Sequence, residues 1–146
     1  MESVPVAIKI IVPTPNGTAI FLGNEQKSFV IYVDNMAGAT LTDTLEGKHK
    51  ERPMTHDLVG HIFTGFGVTV ERMVINHAED GIFHARLILS MRNEIGTKLV
   101  EIDSRPSDAL ILAAAQKKPL FVTSEVFESL EDMSEVLKKI TEQQKH

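Results

Sequence analysis

Two short turn signals constrain this chain more than anything else in its sequence. Asn16-Gly17 and Asp80-Gly81 each lie between runs rich in β-branched and apolar residues. Dipeptides of this kind supply the positive φ values that a tight turn between antiparallel strands requires. Val4 to Val12 and Thr18 to Leu22 flank the first signal, through Pro13-Thr14-Pro15-Asn16-Gly17. Gly23-Asn24 then turns the chain into a third strand, Phe29 to Val33, so the N-terminal part reads as an antiparallel meander. Val68 to Asn76 and Ile82 to Met91 form the second hairpin, which places His77 opposite His84. Lys98 to Ile102 and Pro119-Leu120-Phe121-Val122 are further strands.

Helical signals separate these strands. Asn35 is placed to cap a helix that carries Met36, Leu41 and Leu45 and ends at Gly47. Thr55 is placed to cap a second, with Leu58, Val59, Ile62, Phe63 and Phe66 on one face and Gly65 and Gly67 at its end. Pro106 opens a third, Ser107 to Lys117, and Val126, Leu130, Met133, Leu137 and Ile140 mark a single last helix. Hairpins dominate and helices intervene, which predicts an α+β fold: one compact domain with a mainly antiparallel sheet and three to four helices. Residues 1–128 form its body, and residues 129–146 are an amphipathic helical tail of the same unit.

Composition narrows the functions. The chain has 146 residues and no Cys, which excludes disulfides, thiolate metal sites and Cys nucleophiles. Its first residues lack the basic and apolar segments of a signal peptide, and no apolar run is long enough to span a bilayer; the expectation is a cytoplasmic protein without membrane contact. A net charge of −5 argues against a protein that coats nucleic acid, because non-specific affinity comes from neutralising phosphates. Nucleic acid would be held weakly, at a local basic site. Lys48, His49, Lys50 and Arg52 form one short basic cluster.

The chemistry concentrates in a pattern that occurs twice. Arg52-Pro53-Met54-Thr55-His56-Asp57 opens the second helix, and Arg105-Pro106-Ser107-Asp108 opens the third. Pro at the first helical position, followed by hydroxyl and carboxylate side chains, is how a helix start satisfies its free N–H groups. The same N–H groups and a forked guanidinium also suit a phosphate. If the two starts converge, Arg52, Thr55, Arg105 and Ser107 would bind phosphate. His56, Asp57 and Asp108 would be catalytic, with His56 moving a proton. Asp57, Asp108 and Asp103, with Glu101 on the face of Asp103, would hold a divalent cation, Mg²⁺ or Mn²⁺. In a purely structural alternative, each Arg pairs with the Asp of the other helix start.

Taken with Asp80-Gly81-Ile82-Phe83-His84-Ala85-Arg86-Leu87, the two Arg-Pro blocks resemble the bifunctional nuclease domain family, over roughly Val4 to Glu128. The resemblance implies a compact α+β domain, often dimeric, that hydrolyses both DNA and RNA. The chain departs from the family where Phe29-Val30-Ile31-Tyr32-Val33-Asp34 replaces a Leu-Pro-Ile-Trp-Ile-Gly strand, and where Ala37 and Ala39 stand in place of glutamates. The expected function is therefore a metal-assisted nuclease, and the expected assembly is a homodimer; the alternative is a non-enzymatic dimeric binding or regulatory module with an anion-binding cleft.

Overall fold

The computed structural model describes residues 2–48 and 50–144. The N-terminal meander consists of β1 (Ser3–Thr14), β2 (Gly17–Gly23) and β3 (Ser28–Val33). Helices α1 (Asn35–Glu46) and α2 (Thr55–Gly65) follow. A second meander, β4 (Val68–Glu79), β5 (Ile82–Asn93) and β6 (Gly96–Ser104), leads into α3 (Pro106–Ala115). The chain ends with β7 (Leu120–Thr123), α4 (Ser124–Ser129) and α5 (Ser134–Gln144). The expected α+β class holds: the seven strands form one sheet in the order β3-β2-β1-β7-β4-β5-β6. Every neighbouring pair is antiparallel except β4 and β7, which run parallel; the chain between them passes through β5, β6 and α3.

The sheet curls on itself. β3 and β5 stand five places apart, about 24 Å if the sheet were flat. Yet Phe29 on β3 and Phe83 on β5 stack with ring centroids 6.4 Å apart. Bulges at Ile8/Ile10 in β1 and at two points in β4 supply the bending. The concave side holds the core, where Ile20, Leu22, Phe29, Met73, Ile75 and Leu110 are buried. α3 is buried along most of its length, whereas α2 has no fully buried residue.

Three local expectations are corrected. The α1 cap is Asp34, whose carboxylate accepts from the Ala37 N–H at 2.8 Å. Asn35 instead accepts from the buried Thr18 hydroxyl at 2.7 Å and donates to Thr14 O at 2.9 Å, tying α1 to the first hairpin. Thr55 is the first residue of α2 and follows the cap position, Met54. The last helix is two. Lys27 donates its ammonium to the carbonyls of Phe127 and Leu130 at 2.8 and 2.9 Å, satisfying the end of α4. Asp132 then accepts from the Ser134 N–H at 3.0 Å and starts α5.

Candidate active site at two converging helix starts

α2 and α3 both pack beside the sheet, and their first turns meet. His56 Nε2 lies 3.0 Å from Asp108 Oδ1. Arg105 donates to the same carboxylate through Nε at 3.0 Å and Nη2 at 3.3 Å. Asp108 is thus the junction of a His–Asp–Arg run. Arg105 occupies the α3 cap position in extended conformation, and Pro106 occupies the first helical position, which aims the guanidinium back over the first turn. Burial pushes the Asp108 carboxyl up, but the hydrogen bonds and charges of Arg105 and His56 outweigh it and hold the group below the usual aspartate range.

The run lies between two clefts. One, of about 400 Å³, opens between α1, α2 and α3 and is lined by Lys48, Lys50, His56, Asp57, His61 and Gln116 among others. The second, of about 320 Å³, is lined by Tyr32, Asp34, Ile82, Phe83, Arg105 and Ser107 among others. In the first, Asp57 Oδ2 accepts from the Met54 N–H at 2.8 Å and from Lys50 at 3.2 Å. The Met54 hydrogen bond is the main cause that lowers the Asp57 pKa, with Lys50 adding to it against a burial penalty.

The expected side chains do not all assemble. His56, Asp108 and Arg105 come together, Ser107 lines the Arg105 cleft, and Asp57, the residue after His56, lines the other cleft with it. Arg52 and Thr55 are exposed and make no side-chain hydrogen bond among the described residues. The crossed pairing of each Arg with the other helix's Asp does not occur, because Arg105 reaches its own Asp108 three residues on. Asp103 is on the wrong side of the sheet. It stands opposite Arg86, while its neighbour Ile102 stands opposite Leu87, which packs into the core with α3. Strand alternation therefore turns Asp103 and Glu101 to the convex face, where Glu101 lines a hollow with Arg72 and Arg86.

The donor set consequently does not fit the divalent cation expected from the sequence. Both Asp108 oxygens and one Asp57 oxygen are already engaged, and the described residues contain no group of three or more His, Asp or Glu side chains able to hold an ion. His77 does face His84, with rings 5.2 Å apart, but no third ligand joins them among the described residues. The lysines of the basic cluster line the first cleft and are paired, Lys48 with Asp43 and Glu46 and Lys50 with Asp57, and His49 lies outside the described residues.

The departures noted in the sequence acquire a place here. Ala37 is buried and Ala39 exposed, and neither lines the two clefts beside Asp108. Tyr32 does line the Arg105 cleft and is 72% exposed. Its signal in the sequence is an aromatic residue alternating with the buried Ile31 on an edge strand.

The sequence profile of the bifunctional nuclease domain matches residues 20–134. The chain belongs to this family. The match takes in both helix starts, the Asp80-Gly81 hairpin and the strand that carries Tyr32. It extends to Ser134, past the Glu128 limit expected from the motifs. Outside the family profile, the chain is similar to uncharacterized proteins of two Mycobacterium tuberculosis strains, CDC 1551 / Oshkosh and ATCC 25618 / H37Rv. Each is 26% identical over 103 residues, which is 70% of this chain and 58% of the relative. The chain thus spans little more than half the length of these relatives. Among the described residues, no helix is long and apolar enough to cross a membrane.

Proposed function

We propose that this bifunctional nuclease domain hydrolyses phosphodiester bonds of DNA and RNA, with His56 as the proton acceptor. The observation that carries the reading is the 3.0 Å contact of His56 Nε2 with Asp108 Oδ1 across two helix starts. A carboxylate there accepts from Nε2–H, fixes that tautomer, and leaves Nδ1 to take a proton from an attacking water. The water oxygen bonds to phosphorus as the ester P–O bond breaks, and the departing oxygen takes a proton from solvent. Arg105 and Ser107 hold the phosphate, with Arg52 and Thr55 guiding the strand. Asp57 is a positioning residue that fixes the start of α2.

Exposure favours this over the non-enzymatic module: the Arg105 side chain is 71% exposed and opens onto a cleft, so its pair with Asp108 is not a buried brace. No step is routed through Mg²⁺ or Mn²⁺. The protein is further proposed to act in the cytoplasm, as a homodimer formed through α2. Leu58, Ile62 and Phe66 recur every four residues there and are 54%, 48% and 73% exposed.

The test uses labelled single-stranded DNA and RNA with Mg²⁺, with Mn²⁺ and with a chelator. His56→Gln and Asp108→Asn should each lower cleavage by about a hundredfold or more. Cleavage by either variant at the wild-type rate would overturn the assignment. Light scattering at low and high concentration, with Ile62→Glu as control, tests the dimer.

A further inference from the structure

The Arg105 cleft carries more than a phosphate contact. Ser107 is only 7% exposed, lines the cleft, and its hydroxyl makes no hydrogen bond among the described residues. Tyr32 and Ile82, 72% and 64% exposed, line the same cleft. Arg105 spends Nε and Nη2 on Asp108, which leaves Nη1.

Charge decides what such a cleft can hold. Asp34 lines it and Asp108 neutralises Arg105, so it offers no surplus of positive charge. Phosphate attraction alone would be feeble there. An exposed aromatic face has no such deficit, because stacking on a base contributes about 1–3 kcal/mol whatever the sequence. The volume, about 320 Å³, stands at the small end of ligand sites, which run from about 300 to 1,000 Å³.

We infer that this cleft is a base subsite: Tyr32 stacks one unpaired nucleobase, and Ser107 and the free nitrogen of Arg105 receive the adjoining phosphate. The inference rests on the nucleic-acid reading above and names its substrate as single-stranded. A paired base offers no free face to Tyr32, so duplex is excluded until it opens.

Tyr32 is the only tyrosine in a chain without Trp, so it reports on itself. The chain with ¹³C-labelled tyrosine is titrated, in chelator, with a short oligodeoxyadenylate and with an abasic oligomer of equal length. The Tyr32 ring signals should move upfield with the first and not with the second. By fluorescence anisotropy of labelled oligodeoxyadenylate, Tyr32→Ala should bind about five- to a hundredfold more weakly, and Tyr32→Phe should bind as wild type. Equal binding of the abasic oligomer, unmoved Tyr32 signals, or full affinity in Tyr32→Ala would each overturn the inference. If the chain binds through Tyr32 yet cleaves nothing, the nuclease reading fails and the subsite stands. If it cleaves while Tyr32 stays silent, the reverse holds.

Discussion

Asp108 on α3 holds His56 on α2 at 3.0 Å, across 52 positions of sequence. One carboxylate thereby joins two helix starts and orients an imidazole, while a guanidinium from its own helix takes its remaining capacity. A group so engaged has consequences for stability as well as for chemistry.

The Asp108 pKa is lowered in the folded chain, since its hydrogen bonds to Arg105 and His56 outweigh the burial penalty. A depressed carboxyl stabilises the fold above its unfolded value of about 3.9 and loses that stabilisation as pH falls through the lower folded value. Urea unfolding of wild type should weaken from about pH 5 downward. Asp108→Asn should flatten that acid limb, and an unchanged limb would mean that the pair adds nothing to the fold.

Asp57 tests whether a carboxylate at a helix start is structural. Its acceptance from the Met54 N–H is half of a capping box. Asp57→Ala should cost about 1 kcal/mol in chemical denaturation. Cleavage by the folded variant should stay within about tenfold of wild type, well short of the loss expected for a proton-transfer residue.

Gly38 lets α1 approach β2. A Cβ there would fall 2.4 Å from Thr18 Oγ1 and 2.6 Å from Thr18 Cβ, and Thr18 is itself buried and bonded to Asn35. Gly38→Ala should destabilise by about 1–3 kcal/mol. A thermal melt should record this as a fall of several degrees; an unchanged melt would mean that α1 withdraws without cost.

Lys27 holds the end of α4 by two carbonyls and also lies 5.1 Å from the Phe127 ring centroid. Lys27→Met keeps the stem and removes the donors, leaving part-buried carbonyls unpaired. The expected loss is about 1–3 kcal/mol, with faster hydrogen exchange in α4 and α5 than in β4 and β5.

The sequence by itself determined the first meander and the β4–β5 hairpin, because Asn16-Gly17 and Asp80-Gly81 fix turns locally, and strand alternation carries each register outward from its turn; the pairing of β6 with β5 came from the structure. It also determined the α3 start, since Pro106 needs no partner elsewhere in the chain to begin a helix. Neighbouring residues competed more closely at the caps: Asp34 outdid Asn35 only because Thr18 and Thr14 occupy the Asn35 amide. The last helix broke where Lys27, a hundred positions away, captures its carbonyls. Only the tertiary structure decided the site. The curl of the sheet and the packing of α2 on α3 bring His56 to Asp108, while the pleat of β6 carries Asp103 to the opposite face. Local patterns specify which residues share an element, but a contact between distant elements depends on how their buried faces pack, and no single segment encodes that.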